Sequence, residues 1–168
     1  GADVAHVSRE ALATADFGDV VVLAVPYPSV AEILATVGAQ LAGKVVVDIT
    51  NPLNFETFNA LVVPDGSSAT AEIQAQLPES KVIKAFNTNF AATLATGIVG
   101  TVPTTVLVAG DDAAAKQTLI SAVVAGGLGA IDTGALVRAH ELEAIGFLQL
   151  TLAVSEQIGW TAGFAVQK

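Results

Sequence analysis

The sequence predicts an α/β domain built on a doubly wound, mostly parallel sheet, and three observations carry that prediction. Continuous runs rich in β-branched residues recur at 19–25, 44–49, 81–86 and 104–109, each closed by a polar or proline-containing turn. Between them lie stretches with helical spacing, so strand and helix alternate in the order that winds a parallel sheet. Composition agrees: 52% hydrophobic residues, 14% charged residues and a mean hydropathy of +0.63 suit strands covered on both faces and exclude disorder. At 168 residues the chain reads as a single domain, 1–168, large enough to hold a core without disulfides or metal.

The first run, Asp19-Val-Val-Val-Leu-Ala-Val25, reads as a strand buried on both faces and stopped by Pro26-Tyr27-Pro28. Ser29 is placed to cap a helix in which Val30, Ile33, Leu34, Val37 and Leu41 share a face, and Gly43 stands where a closing glycine is expected. Lys44-Val-Val-Val-Asp-Ile49 is a second buried strand, ended by Thr50-Asn51-Pro52-Leu53-Asn54. Residues 55–66 show no sustained period and are expected to form a long loop. Ser67 or Ser68 then caps a helix running to Leu77, with Ala71, Ile73 and Leu77 inward and Pro78 closing it. The third strand is Lys81-Val-Ile-Lys-Ala-Phe86, stopped by Asn87-Thr88-Asn89. A fourth, 104–109, ends at Gly110-Asp111-Asp112, whose acidic pair suits the start of a helix over 113–124. A short fifth strand at 130–132 and a long closing helix over about 136–158 complete the chain.

Charge and composition narrow the function. A net charge of −9 repels phosphate backbones and anionic membranes, which argues against a nucleic-acid partner. No cysteine is present, which excludes disulfides, thiolate zinc sites and thiol catalysis within these residues. The apolar runs are shorter than the roughly 20 residues a membrane helix needs, and no signal-peptide pattern precedes the first strand, so a soluble cytoplasmic protein is expected. A chain that opens on Gly1 and contains no methionine is expected to have lost its own start.

In an open α/β sheet, ligands sit beyond the carboxyl ends of the strands. Three successive strands here end at Val25-Pro26-Tyr27, Thr50-Asn51-Pro52 and Phe86-Asn87-Thr88, so these turns are expected to share one edge. Asn51 and Asn87 are amides placed where a strand stops, able to donate and accept toward a carboxamide or a ribose hydroxyl, or to satisfy their own turns. The cluster Gly126-Gly127-Leu128-Gly129 imitates the opening of a phosphate-binding loop, yet it follows a helix, precedes a strand and carries Asp132 at its sixth position, so it reads as a helix-to-strand turn. His140-Glu141-Leu142-Glu143 lacks the second histidine of a zinc motif and reads as a helix turn with exposed glutamates. Asp48, inside an apolar strand beside the crevice, is either a perturbed carboxylate or one bonded to the neighbouring loop backbone, while Asp65, Asp111 and Asp112 read as solvated turn residues. No serine lies in a nucleophile elbow, so nucleophilic hydrolysis has no support.

Taken in order, Val20-Val-Val-Leu-Ala-Val-Pro-Tyr27, Gly43-Lys-Val-Val-Val-Asp48 with Thr50-Asn51-Pro52-Leu53-Asn54, Ser67-Ser68-Ala69 leading to Leu77-Pro78, and Val82-Ile-Lys-Ala-Phe-Asn-Thr88 resemble the NADPH-dependent coenzyme F-420 reductase family of Rossmann oxidoreductases. Ala109-Gly-Asp-Asp112, Ala115-Lys116, Asp132-Thr-Gly134 and Leu142-Glu143 extend the resemblance over nearly the whole chain. It implies a Rossmann-type sheet without its first βαβ portion, because the family's first strand, glycine-rich loop, first helix and second strand lie ahead of where this sequence opens. It also implies a homodimer that moves a hydride between NADP(H) and the deazaflavin coenzyme F-420.

Carried over position by position, the cofactor-binding residues implied are Val25, Pro26, Tyr27 and Val30 on the first turn, Thr50, Asn51 and Pro52 on the second, and Phe86, Asn87 and Thr88 on the third. No catalytic acid, base or nucleophile and no metal ligand is assigned. Hydride transfer between two rings held face to face requires none, since the cofactors supply the reactivity. Two alternatives stand beside this reading. One is an NADPH-dependent reductase of another acceptor, a flavin, quinone or metal chelate. The other is a non-catalytic remnant that pairs through its last helix, where Ala139, Leu142, Ile145, Gly146, Leu150 and Val154 form a stripe that a core-facing side explains equally well.

Overall fold

Residues 3–167 are described by the computed structural model, and their sheet is built from β1 (Val20–Leu23), β2 (Val45–Asp48) and β3 (Lys81–Lys84), a detached hairpin of β4 (Ile98–Val99) and β5 (Val102–Pro103) standing apart, then β6 (Thr105–Gly110) and β7 (Gly129–Gly134). Within the five-stranded sheet the order is β1-β2-β3-β6-β7. The pairs β1·β2, β2·β3 and β6·β7 run parallel, whereas β6 lies antiparallel to β3 through Ile83↔Gly110 and Lys84↔Ala109. The mostly parallel α/β sheet expected from the alternation is therefore present, with one reversed neighbour.

Among the described residues five α-helices accompany it: α1 (Val30–Val37), α2 (Ala69–Gln76), α3 (Ala91–Thr96), α4 (Ala113–Ala125) and α5 (Ala139–Val154). Alternate side chains of β2 and β3 point to opposite faces and build two cores. On one face Val46 and Val82 meet Val30, Ile33, Leu34 and Val37 of α1 together with Leu41, Ile73 and Leu77. On the other, Val47 and Ile83 meet Val106 and Val108 of β6 and Ala115, Leu119 and Val123 of α4. This two-sided burial explains why β2 and β3 read as unbroken apolar runs.

Several expectations need correction. β1 is not buried on both faces: Val20 and Val22 are 38% and 48% exposed, because β1 is the sheet's edge and only Val21 and Leu23 face the first core. Ser29 makes no side-chain cap, since a 3-10 turn over Tyr27–Ser29 already leads into α1. Of the two candidate serines before α2, Ser68 is the cap, its Oγ accepting from the Ala71 amide at 3.1 Å. The closing helix stops at Val154, ahead of Glu156, whose φ of +59° ends the helical path. Its buried face is Ala139, Leu142, Glu143, Gly146, Gln149 and Ala153, a stripe rotated away from the expected one, so Val154 is exposed. The Gly126 cluster behaves as anticipated: Gly126 caps α4, Gly127 takes a φ of +86° and Gly129 opens β7.

α5 crosses the carboxyl ends of the parallel strands at very close range. A Cβ on Gly146 would stand 2.3 Å from Asn51 Oδ1 and 2.8 Å from Asn87 Nδ2. Gly146→Ala is therefore expected to lower stability by about 1–3 kcal/mol through overpacking, read as a lower urea midpoint at unchanged m. An unchanged midpoint would mean that α5 does not approach these turns so closely.

On β7, Asp132 receives the Lys116 ammonium at 2.8 Å, and this bond from Lys116 holds its carboxyl below the usual range. A lowered folded-state pKa contributes stability at neutral pH that disappears as pH falls through that lowered value. Because Asp132 is half exposed, Asp132→Asn should cost no more than about 1 kcal/mol at pH 7. The difference from the native protein should vanish in acid, as measured by denaturation across pH; a difference that persists in acid contradicts the pairing.

Candidate functional site

Leu23, Asp48 and Lys84 share one register row, so β1, β2 and β3 end together and the three following turns share an edge, as expected. Their residues divide into two groups. Val25 and Tyr27 are half-buried and pack with buried Val30 against the first core, with Pro26 exposed between them. Thr50, Pro52, Asn87 and Thr88 are buried, with Asn51 and Phe86 half-buried.

The second and third turns interlock. Asn51 Nδ2 donates to the Asn87 carbonyl at 3.2 Å, and Asn87 Nδ2 donates to Asn51 Oδ1 at 3.2 Å and to the Leu142 carbonyl of α5 at 2.8 Å. Gln149, one turn beyond Gly146 on α5, donates to the Thr88 carbonyl at 3.1 Å. Phe86 sits at φ +63°, a left-handed conformation that an aromatic residue seldom adopts. That conformation reverses the chain at the end of β3, with the Asn87 amide bonded to the Ala85 carbonyl at 2.8 Å, and so delivers the Asn87 side chain to Asn51 and α5.

Beneath this pair lies a buried ionic cluster. Lys84 Nζ donates to Asp48 Oδ2 at 2.9 Å and to the Thr50 carbonyl at 2.7 Å and forms an ion pair with Glu143 Oε1 at 2.9 Å, and all three charged side chains are fully buried. Asp48 also accepts from the Thr50 amide at 2.8 Å and from the Thr70 hydroxyl at 2.7 Å. Glu143 Oε2 accepts from the Ala69 amide at 2.9 Å, which places a carboxylate from α5 on the N-terminus of α2. Two carboxylates and one ammonium leave one negative charge, and the positive end of the α2 dipole lies against it. The expectation of an exposed Glu143 is thus overturned: Glu141 is exposed, but Glu143 faces inward because its partner Lys84 rises from the middle of the sheet. Asp48 does bond to the neighbouring loop backbone, and it also holds the ammonium.

Sequence reasoning placed Lys84, Glu143 and Gly146 in motifs or a helix stripe but gave none of them, nor Thr70, a part in the site. The usable signal was a pair of opposite charges, Asp48 and Lys84, at equivalent ends of adjacent apolar strands, which only the register makes neighbours. The turn acids are also better used than expected: Asp112 caps α4 through the Ala115 amide at 2.8 Å, and Asp111 accepts from the Leu136 amide at 2.8 Å.

Among the described residues three buried side-chain oxygens have no partner: Thr50 Oγ1, Asn87 Oδ1 and Asn89 Oδ1, all on the strand-end turns. Two of these are amide carbonyls, able to receive an N–H from a bound group. Tyr27, at the head of α1, has its phenol pushed up by burial and further by the carboxylates of Glu72, Glu143 and Asp48, so it stays a neutral O–H donor. The N-terminus of α2 is closed to anions, since its first amides already bond Glu143 and Ser68. An open hollow of about 390 Å³ beside it is lined by Asp65, Ser67, Ser68, Asp111 and His140, whose Nδ1 donates to the Ser67 carbonyl at 2.9 Å. Among the described residues no cluster of His, Cys, Asp or Glu is arranged to hold a metal, and no helix is long and apolar enough to cross a membrane.

The family model described as "NADP oxidoreductase coenzyme F420-dependent" matches residues 1–52. The F420-dependent NADP reductase of Methanocaldococcus jannaschii is 36% identical over 133 residues, which is 76% of this chain and 59% of that protein. Metalloreductase STEAP3 of Rattus norvegicus is 36% identical over 117 residues, covering 67% of this chain and 22% of the rat protein. The chain thus spans well under two thirds of either relative. A crystal structure from Arthrobacter sp. FB24, described as a candidate F420-dependent NADP-reductase, superposes with a TM-score of 0.81 at 30% identity, covering 95% of this chain and 72% of that one. A hypothetical protein of Sinorhizobium meliloti superposes with a TM-score of 0.61 at 32% identity over 72% of this chain and 58% of its own. With the α/β sheet, the order of its motifs and a solved relative at 30% identity of which the chain covers 72%, the chain belongs to the coenzyme F420-dependent NADP oxidoreductase family.

Proposed function

We propose that this chain is the nicotinamide-side part of an NADP-dependent oxidoreductase that passes a hydride between NADP(H) and the deazaflavin coenzyme F-420. The observation that carries the reading is the strand-end edge itself: two interlocked turns with buried, unpartnered acceptors at Thr50, Asn87 and Asn89. The residues fit a nicotinamide ring. Asn87 Oδ1 and Asn89 Oδ1 are free to accept from a carboxamide N–H, and Thr50 Oγ1 can donate to its carbonyl or accept from its amide.

Val25, Pro26, Tyr27 and Val30 would wall one side, Thr50, Asn51 and Pro52 the floor, and Phe86, Asn87 and Thr88 the other side. When bound, the cofactor supplies the transferable hydride. The work left to this chain is orientation and exclusion of water. Asn51 and Asn87 stiffen each other, Pro52 and Thr88 bury the backbone behind them, and Tyr27 keeps its proton at the rim. We also propose a homodimer, supported by Leu148 and Val154 standing exposed on α5.

The metalloreductase similarity favours one alternative acceptor, a metal chelate, in place of the deazaflavin. One experiment separates them. The intact protein, given NADPH, should bleach the absorbance of oxidised coenzyme F-420 at a rate at least tenfold above its reduction of a ferric chelate. Reduction of the chelate with no change in the deazaflavin moves the acceptor to the metal. NADPH oxidation with neither acceptor, or none at all, contradicts the proposal.

A further inference from the structure

Lys84 carries more hydrogen bonding than charge balance requires. The carboxylates of Asp48 and Glu143, each at 2.9 Å, already more than balance its ammonium, and a further N–H goes to the Thr50 carbonyl at 2.7 Å, the shortest of the set. Asp48 Oδ1 at the same time accepts from the Thr50 amide at 2.8 Å. One buried ion pair therefore grips both the N–H and the C=O of Thr50. With its backbone clamped at both ends, Thr50 has a fixed side-chain direction, its Oγ1 stays buried without a partner, and the following residue, Asn51, is delivered to Asn87. Lys84 itself touches none of the oxygens that remain free.

From this geometry we infer that Lys84 is a positioning residue for the crevice: through its bond to the Thr50 carbonyl it sets the Thr50-Asn51 turn, and with it the Asn51–Asn87 pair, in the arrangement that orients the nicotinamide. The inference deepens the function proposed above and rests on it. The grip is backbone-directed and so depends on the length and direction of the side chain as well as on its charge.

Two kinds of readout separate positioning from simple stabilisation. The triple substitution Asp48→Asn, Lys84→Met, Glu143→Gln removes the charges together and keeps acceptors for the Thr50 and Ala69 amides, so no ion is left buried alone. In the intact protein this variant should fold cooperatively, yet the side-chain amide resonances of Asn51 and Asn87 should shift and broaden. Its kcat for NADPH-driven reduction of coenzyme F-420 should fall at least tenfold, with KM for NADPH changed less than threefold.

The 168 residues contain no cysteine, so Lys84→Cys followed by aminoethylation in denaturant rebuilds a lysine-length ammonium at this one position. That material, refolded, should recover the Asn51 and Asn87 resonances and most of the rate. A folded triple variant that keeps those resonances and a kcat within twofold of native overturns the inference. If the triple variant does not fold, the unaltered protein decides: its Lys84 ammonium should give a signal protected from solvent exchange with through-space contacts to Thr50, and an ammonium in fast exchange overturns the inference. If the unaltered protein reduces no coenzyme F-420, the proposed function fails while the resonances still report whether Lys84 sets the turn.

Discussion

An ammonium ion in the middle of a parallel sheet, with no access to water, dictates how the rest of this molecule is assembled. Removing a charge from water costs several kcal/mol even after relaxation, so Lys84 is tolerable only if every N–H finds a good acceptor. Its three oxygen partners, two of them hydrogen-bond acceptors and Glu143 an ion-pair partner, come from three different places: Asp48 at the end of the neighbouring strand, the Thr50 carbonyl in the turn beyond it, and Glu143 from a helix some sixty residues later in the chain. The acceptors have needs of their own. Glu143 spends its second oxygen on the first amide of α2, and Asp48 takes the Thr70 hydroxyl from the same helix. One buried cation thereby fixes the relative placement of β2, β3, α2 and α5, elements that apolar packing alone would leave freer to slide.

The strand-end turns are the upper surface of that arrangement. α5 is drawn over the strand ends by Glu143, and Gly146, one turn later, lets it close to within touching distance of Asn51 and Asn87. The left-handed Phe86 and the clamped Thr50 then present the two turns to each other in a single way. Such over-determined turns suit the proposed transfer between two planar rings, whose rate depends on how narrowly the rings are held.

Much of this was legible from residue order. The alternation of β-branched runs with helical spacing yields the α/β sheet, and the shared register of β1, β2 and β3 follows from strands that end in matched turns. What escaped has a common cause: it depends on contacts between segments far apart in sequence. β1 looks like an inner strand because its residues match those of β2, and only the sheet order reveals an edge. Glu143 looks like an ordinary exposed helix glutamate until Lys84 is seen beneath it. The Asn51 and Asn87 side chains read either as amides facing a ligand or as satisfying their own turns, whereas they bond each other's turns and α5, leaving Asn87 Oδ1 without a partner. The short α3 and the β4–β5 hairpin carry too few residues to show a period at all.

The central claim is that the Lys84 cluster binds α2, α5 and the Thr50 turn into one cooperative unit. Native-state hydrogen exchange tests it directly, because the first amides of a helix and the amide of a turn normally exchange early, through local fraying. If the cluster acts as described, the amides of Thr50 and Ala69, both bonded to its carboxylates, exchange only when the whole domain unfolds, with protection equal to that of Val46 and Val82 in the core. Fast exchange of either amide, at a free energy well below global unfolding, contradicts the account.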